Sequence, residues 1–173
     1  MITRDVNDIP HLSQAAVDAG RTPVESHTPE LREAFALADG LTTEICDASH
    51  VVIASPMYNW GPPSALKAYI DRIINTRTFY LKTSTLAGIP LTFLVVSGGP
   101  YSEDAGVPKL IPQDHFRPLL RTCFESIGGS DIVFVNGDPT GPIDMGKISA
   151  DDPSSGITRA KARIPAAAAR IKQ

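Results

Sequence analysis

The chain has 173 residues, 42% of them hydrophobic and 20% charged, which is the make-up of one globular domain with a real core. A formal net charge of -3 gives no electrostatic basis for binding nucleic acid or an anionic membrane surface. The longest apolar stretch, residues 89–96, is far too short to span a bilayer, and the opening MITRDVNDIPHL carries no apolar core of a secretory signal.

Residues 1–27 show little periodicity and many turn formers, so RDVNDIPHL reads as the tail of a strand running into a loop. A helix follows. Thr28 is its N-cap, Pro29 its first position, and Leu31, Phe35, Ala38, Leu41 and Ile45 recur at helical spacing. HVVIAS, residues 50–55, is apolar without alternation and predicts a strand buried on both faces. SALKAYIDRII predicts a second helix with Leu66, Tyr69, Ile70 and Ile73 on one face, and IPLTFLVVS a second buried strand. DHFRPLLRTCFESI predicts a third helix with Phe116, Leu119, Leu120, Cys123 and Phe124 inward, Pro118 being tolerated in its first turn. DIVFVNG reads as a third strand, residues 138–156 as a loop, and residues 157–173 as a closing helix kinked or interrupted by Pro165. This alternation predicts an α/β fold, a doubly wound parallel sheet with helices on both faces, as a single domain over residues 1–173.

Ligands of such sheets bind beyond the carboxyl ends of the strands. Two strand ends carry unusual loops. In SPMYNWGPP, residues 55–63, Pro56 has no N–H and is expected to stop strand pairing. Met57, Tyr58, Asn59 and Trp60 offer backbone amides and flat or polarizable side chains, and Gly61, Pro62 and Pro63 set a stiff turn into the next helix. A planar heterocycle with ring nitrogens and carbonyls suits such a cradle; a turn whose aromatics pack on the next helix is the plain alternative. In VSGGPYSED, residues 96–104, Gly98 and Gly99 allow positive φ and close approach of a ligand to the backbone. Either loop alone is weak evidence; two on consecutive strands weigh more.

At these residues the chain resembles the flavodoxin-like FMN oxidoreductases, the FMN-dependent NADH-azoreductases and NAD(P)H:quinone reductases. SPMYNWGPPSALKAYIDRI resembles the specific family signature of Pro-Met-Tyr-Asn-aromatic followed by Leu-Lys and an Asp-Arg helix. VSGGPY is similar to the second flavin loop, a less specific likeness, and RDVNDIPHLS, FVNG and the closing helix extend the resemblance over nearly the whole chain. The resemblance implies that Pro56, Met57, Tyr58, Asn59 and Trp60 line the flavin ring. It implies that Val96, Ser97, Gly98 and Gly99 hold its pyrimidine edge, and that Tyr101, Phe79 and Tyr80 lie toward the substrate, the last two in a loop reaching the partner subunit's site. It further implies a homodimer that takes hydride from NADH or NADPH onto FMN and passes electrons to a small-molecule acceptor by a ping-pong mechanism; the cytoplasmic setting is expected instead from the two cysteines, which fit a reducing compartment. The flavin carries that redox step, so no catalytic side chain is called for.

Relatives begin with a strand, a serine-rich loop that holds the FMN phosphate, and a helix. The resemblance implies that this chain lacks that unit, of roughly 30 residues, and is a truncated flavodoxin-like domain. HVVIAS then becomes an edge strand. Val96 and Ser97 stand where azoreductases tend to carry hydroxyl and basic residues. A non-enzymatic, degenerate flavodoxin-like protein that no longer holds FMN and pairs with another chain is the alternative.

The remaining motifs read plainly. No receiver-type acidic residue ends the first strand, where Ser55 and Pro56 stand, and no Cys is followed six residues later by Arg as a phosphatase loop requires. Cys46 and Cys123 make neither a disulfide framework nor a metal spacing and read as buried, inert thiols. His11, His27, His50 and His115 are scattered, with surface or capping roles expected and no metal site. Asp71 and Arg72 read as a solvated or interhelical pair.

Overall fold

Helical spacing and β-branched runs give six α-helices and three strands among the described residues. The structure is a computed structural model describing residues 1–80, 85–108 and 113–172, with the side chains of residues 79, 80 and 172 outside that description. In chain order the elements are α1 (Gln14–Arg21), α2 (Pro29–Cys46), β1 (Val51–Pro56), α3 (Ser64–Ile73), β2 (Leu91–Val96), α4 (Phe116–Glu125), β3 (Ile132–Asn136), α5 (Gly141–Asp144) and α6 (Gly156–Ala169). Thr28 caps α2 as expected, its side chain accepting the Leu31 N–H at 3.3 Å.

Three local expectations are corrected. The opening segment is not the tail of a strand. Asp5 accepts the Asn7 N–H and starts a 3-10 turn over Val6–Asp8, and Ser13 caps α1 by accepting the Ala16 N–H. The buried residues of α1 are Ala16 and Ala19, too small to stand out as a hydrophobic period. The region read as loop 138–156 contains α5, and Pro165 is carried inside a continuous α6.

The sheet has the order β1-β2-β3, all parallel, with Val51 beside Leu91 and Leu91 beside Ile132. Helical crossovers between successive strands make parallel pairing the natural outcome. β2 is central, with Leu91, Phe93 and Val95 fully buried. Among the described residues β1 pairs only with β2. It is therefore an edge, and Val52 on it is 49% exposed, which corrects the expectation of burial on both faces. Pro56 does not stop the pairing. Val51 and Met57 donate to β2-side carbonyls, so odd-numbered amides face β2 and position 56 faces the open edge, where a missing N–H removes no ladder bond.

The chain divides into two compact units. One comprises residues 1–48, 64–88 and 122–130. In it Ala19, Phe35 and Ala38 form a buried cluster with Leu31 and Ala34. His27 is buried there. Its Nε2 lies 2.9 Å from the Ala19 carbonyl and 3.0 Å from that of Thr22, so the ring caps the end of α1. Asp71 and Arg72 form no pair: Asp71 meets Lys67, while Arg72, 5% exposed, donates to the carbonyls of Pro10 and His11. The other unit comprises residues 49–63, 89–121 and 131–173 and holds the sheet, with α6 packed on β3 and Phe93 stacked on Phe134 at 5.2 Å. Cys46 and Cys123 are half-buried rather than buried, and burial pushes both thiols up, which suppresses the reactive thiolate.

Candidate functional site

Both strand-end loops belong to the unit that holds the sheet. As β1 ends, the Met57 N–H donates to the Val96 carbonyl at 2.8 Å. Tyr58 and Gly61 then exchange two backbone hydrogen bonds of 3.0 Å and close a two-residue turn on Asn59 and Trp60. Those two residues have φ of 47° and 65°. Left-handed backbone at both central positions defines a type I′ turn. Asparagine adopts that conformation readily; a bulky tryptophan is strained in it by about 1–3 kcal/mol. Two bonds hold Trp60 there. Its carbonyl accepts the His115 N–H at 3.1 Å, and its indole Nε1 donates to the Tyr101 hydroxyl at 3.1 Å.

The second loop is fixed from below. The Ser97 hydroxyl donates to the Gly99 carbonyl, the Ser97 carbonyl accepts the Thr140 N–H at 2.9 Å, and the Gly98 carbonyl accepts the Gly141 N–H at 3.0 Å. Neither Gly98 nor Gly99 uses the positive φ that glycine allows. The use of Gly98 is space: nothing lies within 4 Å of where a Cβ would stand.

Together the loops form a cleft of about 210 Å³, lined by Met57, Asn59, Trp60, Ser97, Gly98, Gly99 and Tyr101. Ligand pockets commonly measure about 300–1,000 Å³, so this cleft takes one edge of a planar ring system. The structure thus brings together Met57, Asn59, Trp60, Ser97, Gly98, Gly99 and Tyr101 from segments some forty positions apart. Pro56 and Val96 are paired within the sheet instead, and Tyr58, 62% exposed, is not part of the lining. Phe79 and Tyr80 carry side chains outside the described residues.

The amide donors are redistributed as well. The N–H groups of Met57 and Tyr58 are used within the fold. Those of Asn59, Trp60, Ser97, Gly98 and Gly99 meet no acceptor among the described residues. Five residues that line one cleft and keep their N–H groups unused suit a ligand edge rich in acceptors.

Sequence reasoning missed the groups that hold the second loop in place. Asp138, its side chain fully buried, accepts the N–H groups of Tyr101 and Ser102 at 2.7 Å each and pairs with Arg117 at 3.2 Å. Arg117 also meets Asp114 at 3.0 Å and the Asn136 side-chain carbonyl at 2.8 Å. Asp138 sits in a Pro/Gly/Asp-rich segment, where an aspartate reads as a turn former; only Asp114, two residues before α4, carried a local capping signal.

A family model described as a flavodoxin-like fold matches residues 1–173. An FMN-dependent NADH:quinone oxidoreductase of Nostoc punctiforme is 37% identical over 133 residues, covering 74% of this chain and 63% of that protein. One of Parafrankia sp. is 38% identical, covering 73% and 60%, and FMN-dependent NADH:quinone oxidoreductase 8 of Burkholderia lata is 33% identical, covering 88% and 73%. The chain thus matches less than two thirds of the length of the first two relatives. Among solved structures, an FMN-dependent NADH-azoreductase from Bacillus anthracis in complex with FMN superposes with a TM-score of 0.77. It is 21% identical, with 98% of this chain and 80% of that one covered, so the likeness is one of fold.

Proposed function

The chain belongs to the flavodoxin-like family, and from that premise we propose that it is an FMN-dependent oxidoreductase that uses NADH to reduce quinones, azo compounds or similar acceptors. The observation that carries this reading is the pair of loops whose residues line one cleft, five of them with N–H groups that meet no acceptor among the described residues. The residues present fit the flavin. Met57, Asn59 and Trp60 would hold one side of its ring, and the Ser97–Gly99 backbone its acceptor-bearing edge, with the bare Gly98 letting the ring approach. When bound, FMN would supply the redox chemistry, taking hydride from NADH and passing the electrons to the acceptor. The protein's own part is orientation and exclusion of water: Trp60, tied to Tyr101, forms an aromatic wall that a planar acceptor can stack on.

A ping-pong order belongs to the same proposal. So do use of NADPH in place of NADH, a cytoplasmic setting and a homodimer whose Phe79 and Tyr80 serve the partner subunit's site. No helix among the described residues is long and apolar enough to cross a membrane. The test is the visible spectrum of the purified chain with and without added FMN. A protein-bound flavin band bleached by NADH is expected, and weaker retention in the folded Asn59→Ala, Trp60→Ala double variant. A chain that never takes up the flavin sinks the reading. One observation favours a second reading, a non-enzymatic flavodoxin-like protein that pairs with another chain: among the described residues β1 is an apolar edge with Val52 half exposed. A colourless chain that forms a tight complex through that edge would support it.

A further inference from the structure

Arg117 and Asp138 do not line the cleft, yet both of its walls end on them. The Asp138 carboxylate holds two consecutive amides of the second loop, those of Tyr101 and Ser102. Its other oxygen meets Nη2 of Arg117. Arg117 uses Nε on Asn136 and Nη1 on Asp114, so its planar fork is fixed from three directions. Asp114 in turn accepts the N–H groups of Phe116 and Arg117, and the residue between, His115, donates its N–H to the Trp60 carbonyl. Trp60 then reaches back to Tyr101 through its indole. The bonds close a ring through Trp60, His115, Asp114, Arg117, Asp138 and Tyr101.

We propose that Arg117 and Asp138 act as one positioning pair that holds the Trp60–Tyr101 wall at a set distance from the Ser97–Gly99 floor and so sets the slot open to a planar ligand. That the ligand is a flavin and a planar acceptor rests on the reading above. The argument is geometric. In an open chain of bonds one wall can move alone; in a closed ring a shift of Tyr101 must carry Trp60 with it. The chemistry agrees. A buried ion pair adds little net stability compared with apolar residues of the same size, and specification of geometry is the use it serves best. Here the pair is linked, through Asp114 and the His115 N–H, to a turn strained at Trp60, which something must hold.

Trp60 is the sole tryptophan of the chain, so its fluorescence reports on this wall and nothing else. The experiment measures acrylamide quenching of the ligand-free full chain, beside its melting temperature and an FMN titration. The variants are Arg117→Lys, Asp138→Asn, Tyr101→Phe and the double Arg117→Lys, Tyr101→Phe. Lysine keeps the charge but cannot serve three partners in one plane. Quenching is expected to rise about twofold in each single variant, and FMN affinity to fall about fivefold, the scale of one lost hydrogen bond. The double variant is expected to quench no more than the stronger single one, because both cut the same ring. A lowered melting temperature with unchanged quenching in folded Arg117→Lys and Asp138→Asn means a merely structural role and overturns the proposal, as does an additive double variant. Tyr101→Phe disturbs no buried charge and keeps the test in force if the charge variants do not fold: unchanged quenching there overturns it too. A wild-type chain that binds no FMN overturns the functional reading alone, since the quenching is read without ligand.

Discussion

Replacing Gly141 by alanine tests how firmly the floor of the cleft is seated. A Cβ at position 141 would stand 2.8 Å from the Gly98 carbonyl oxygen and 3.6 Å from its carbon, both backbone atoms. Ordinary contact begins near 3.4 Å, so the Gly98 carbonyl must retreat by about 0.6 Å, the difference of those two distances. Overpacking of that kind costs about 1–3 kcal/mol. The Gly141 N–H to Gly98 bond of 3.0 Å is stretched by the same movement, adding about 1 kcal/mol. The smaller entropy of the unfolded alanine chain returns about 0.4–1 kcal/mol. The net loss is about 2 kcal/mol, or about 4–8 °C in melting temperature for a chain of this size. Thermal unfolding by circular dichroism measures it, and an FMN titration should weaken in parallel because Gly98 lines the cleft. A Gly141→Ala protein that melts within a degree of wild type and binds flavin equally would refute the premise that the floor is rigid.

Gly40→Ala is the matching control. Gly40 is exposed inside α2 with nothing within 4 Å of the added carbon, so a gain of about 0.5–1 kcal/mol is expected from the same melt. In a Tyr101→Phe background, where the indole bond is already lost, Trp60→Asn should relieve left-handed strain and raise stability by about 1 kcal/mol, while flavin retention drops; a double variant no more stable than Tyr101→Phe would mean that Trp60 is unstrained. His50 gives a pH dependence. Burial, helped by Arg170, pushes its imidazole below the ordinary 6.5, and its Nδ1 is buried without a partner among the described residues. The unfolded chain therefore binds the proton more readily, and stability should fall as pH drops below about 6.5 and through the lowered folded value. His50→Gln should flatten melting temperature against pH between about 5.5 and 7.5, above the range where carboxylates titrate; an unaltered slope would assign it to another group.

Local chemistry alone determined much of this protein. The N-cap at Thr28, the apolar period of α2 and α3, and the β-branched runs of β1, β2 and β3 were legible because each depends on neighbours within about one turn or one strand. The order of those elements carried the parallel sheet, and the loops at its strand ends carried Met57, Asn59, Trp60, Ser97, Gly98 and Gly99 into one candidate site. α1 escaped notice because alanines make a faint period, and α5 because four residues make none. Tertiary structure decided the rest. Whether β1 is covered or open depends on which strands lie beside it, and whether Pro56 breaks a ladder depends on which way its missing N–H would face. Tyr58 and Trp60 are near neighbours in sequence, yet the folded turn leaves one out of the cleft lining and ties the other to Tyr101. Asp138 is an ordinary turn residue until folding buries it against Arg117 and the amides of Tyr101 and Ser102. Such roles come from contacts between segments far apart in the chain, made in a low dielectric where an unmatched charge is expensive, and no local window of sequence contains them.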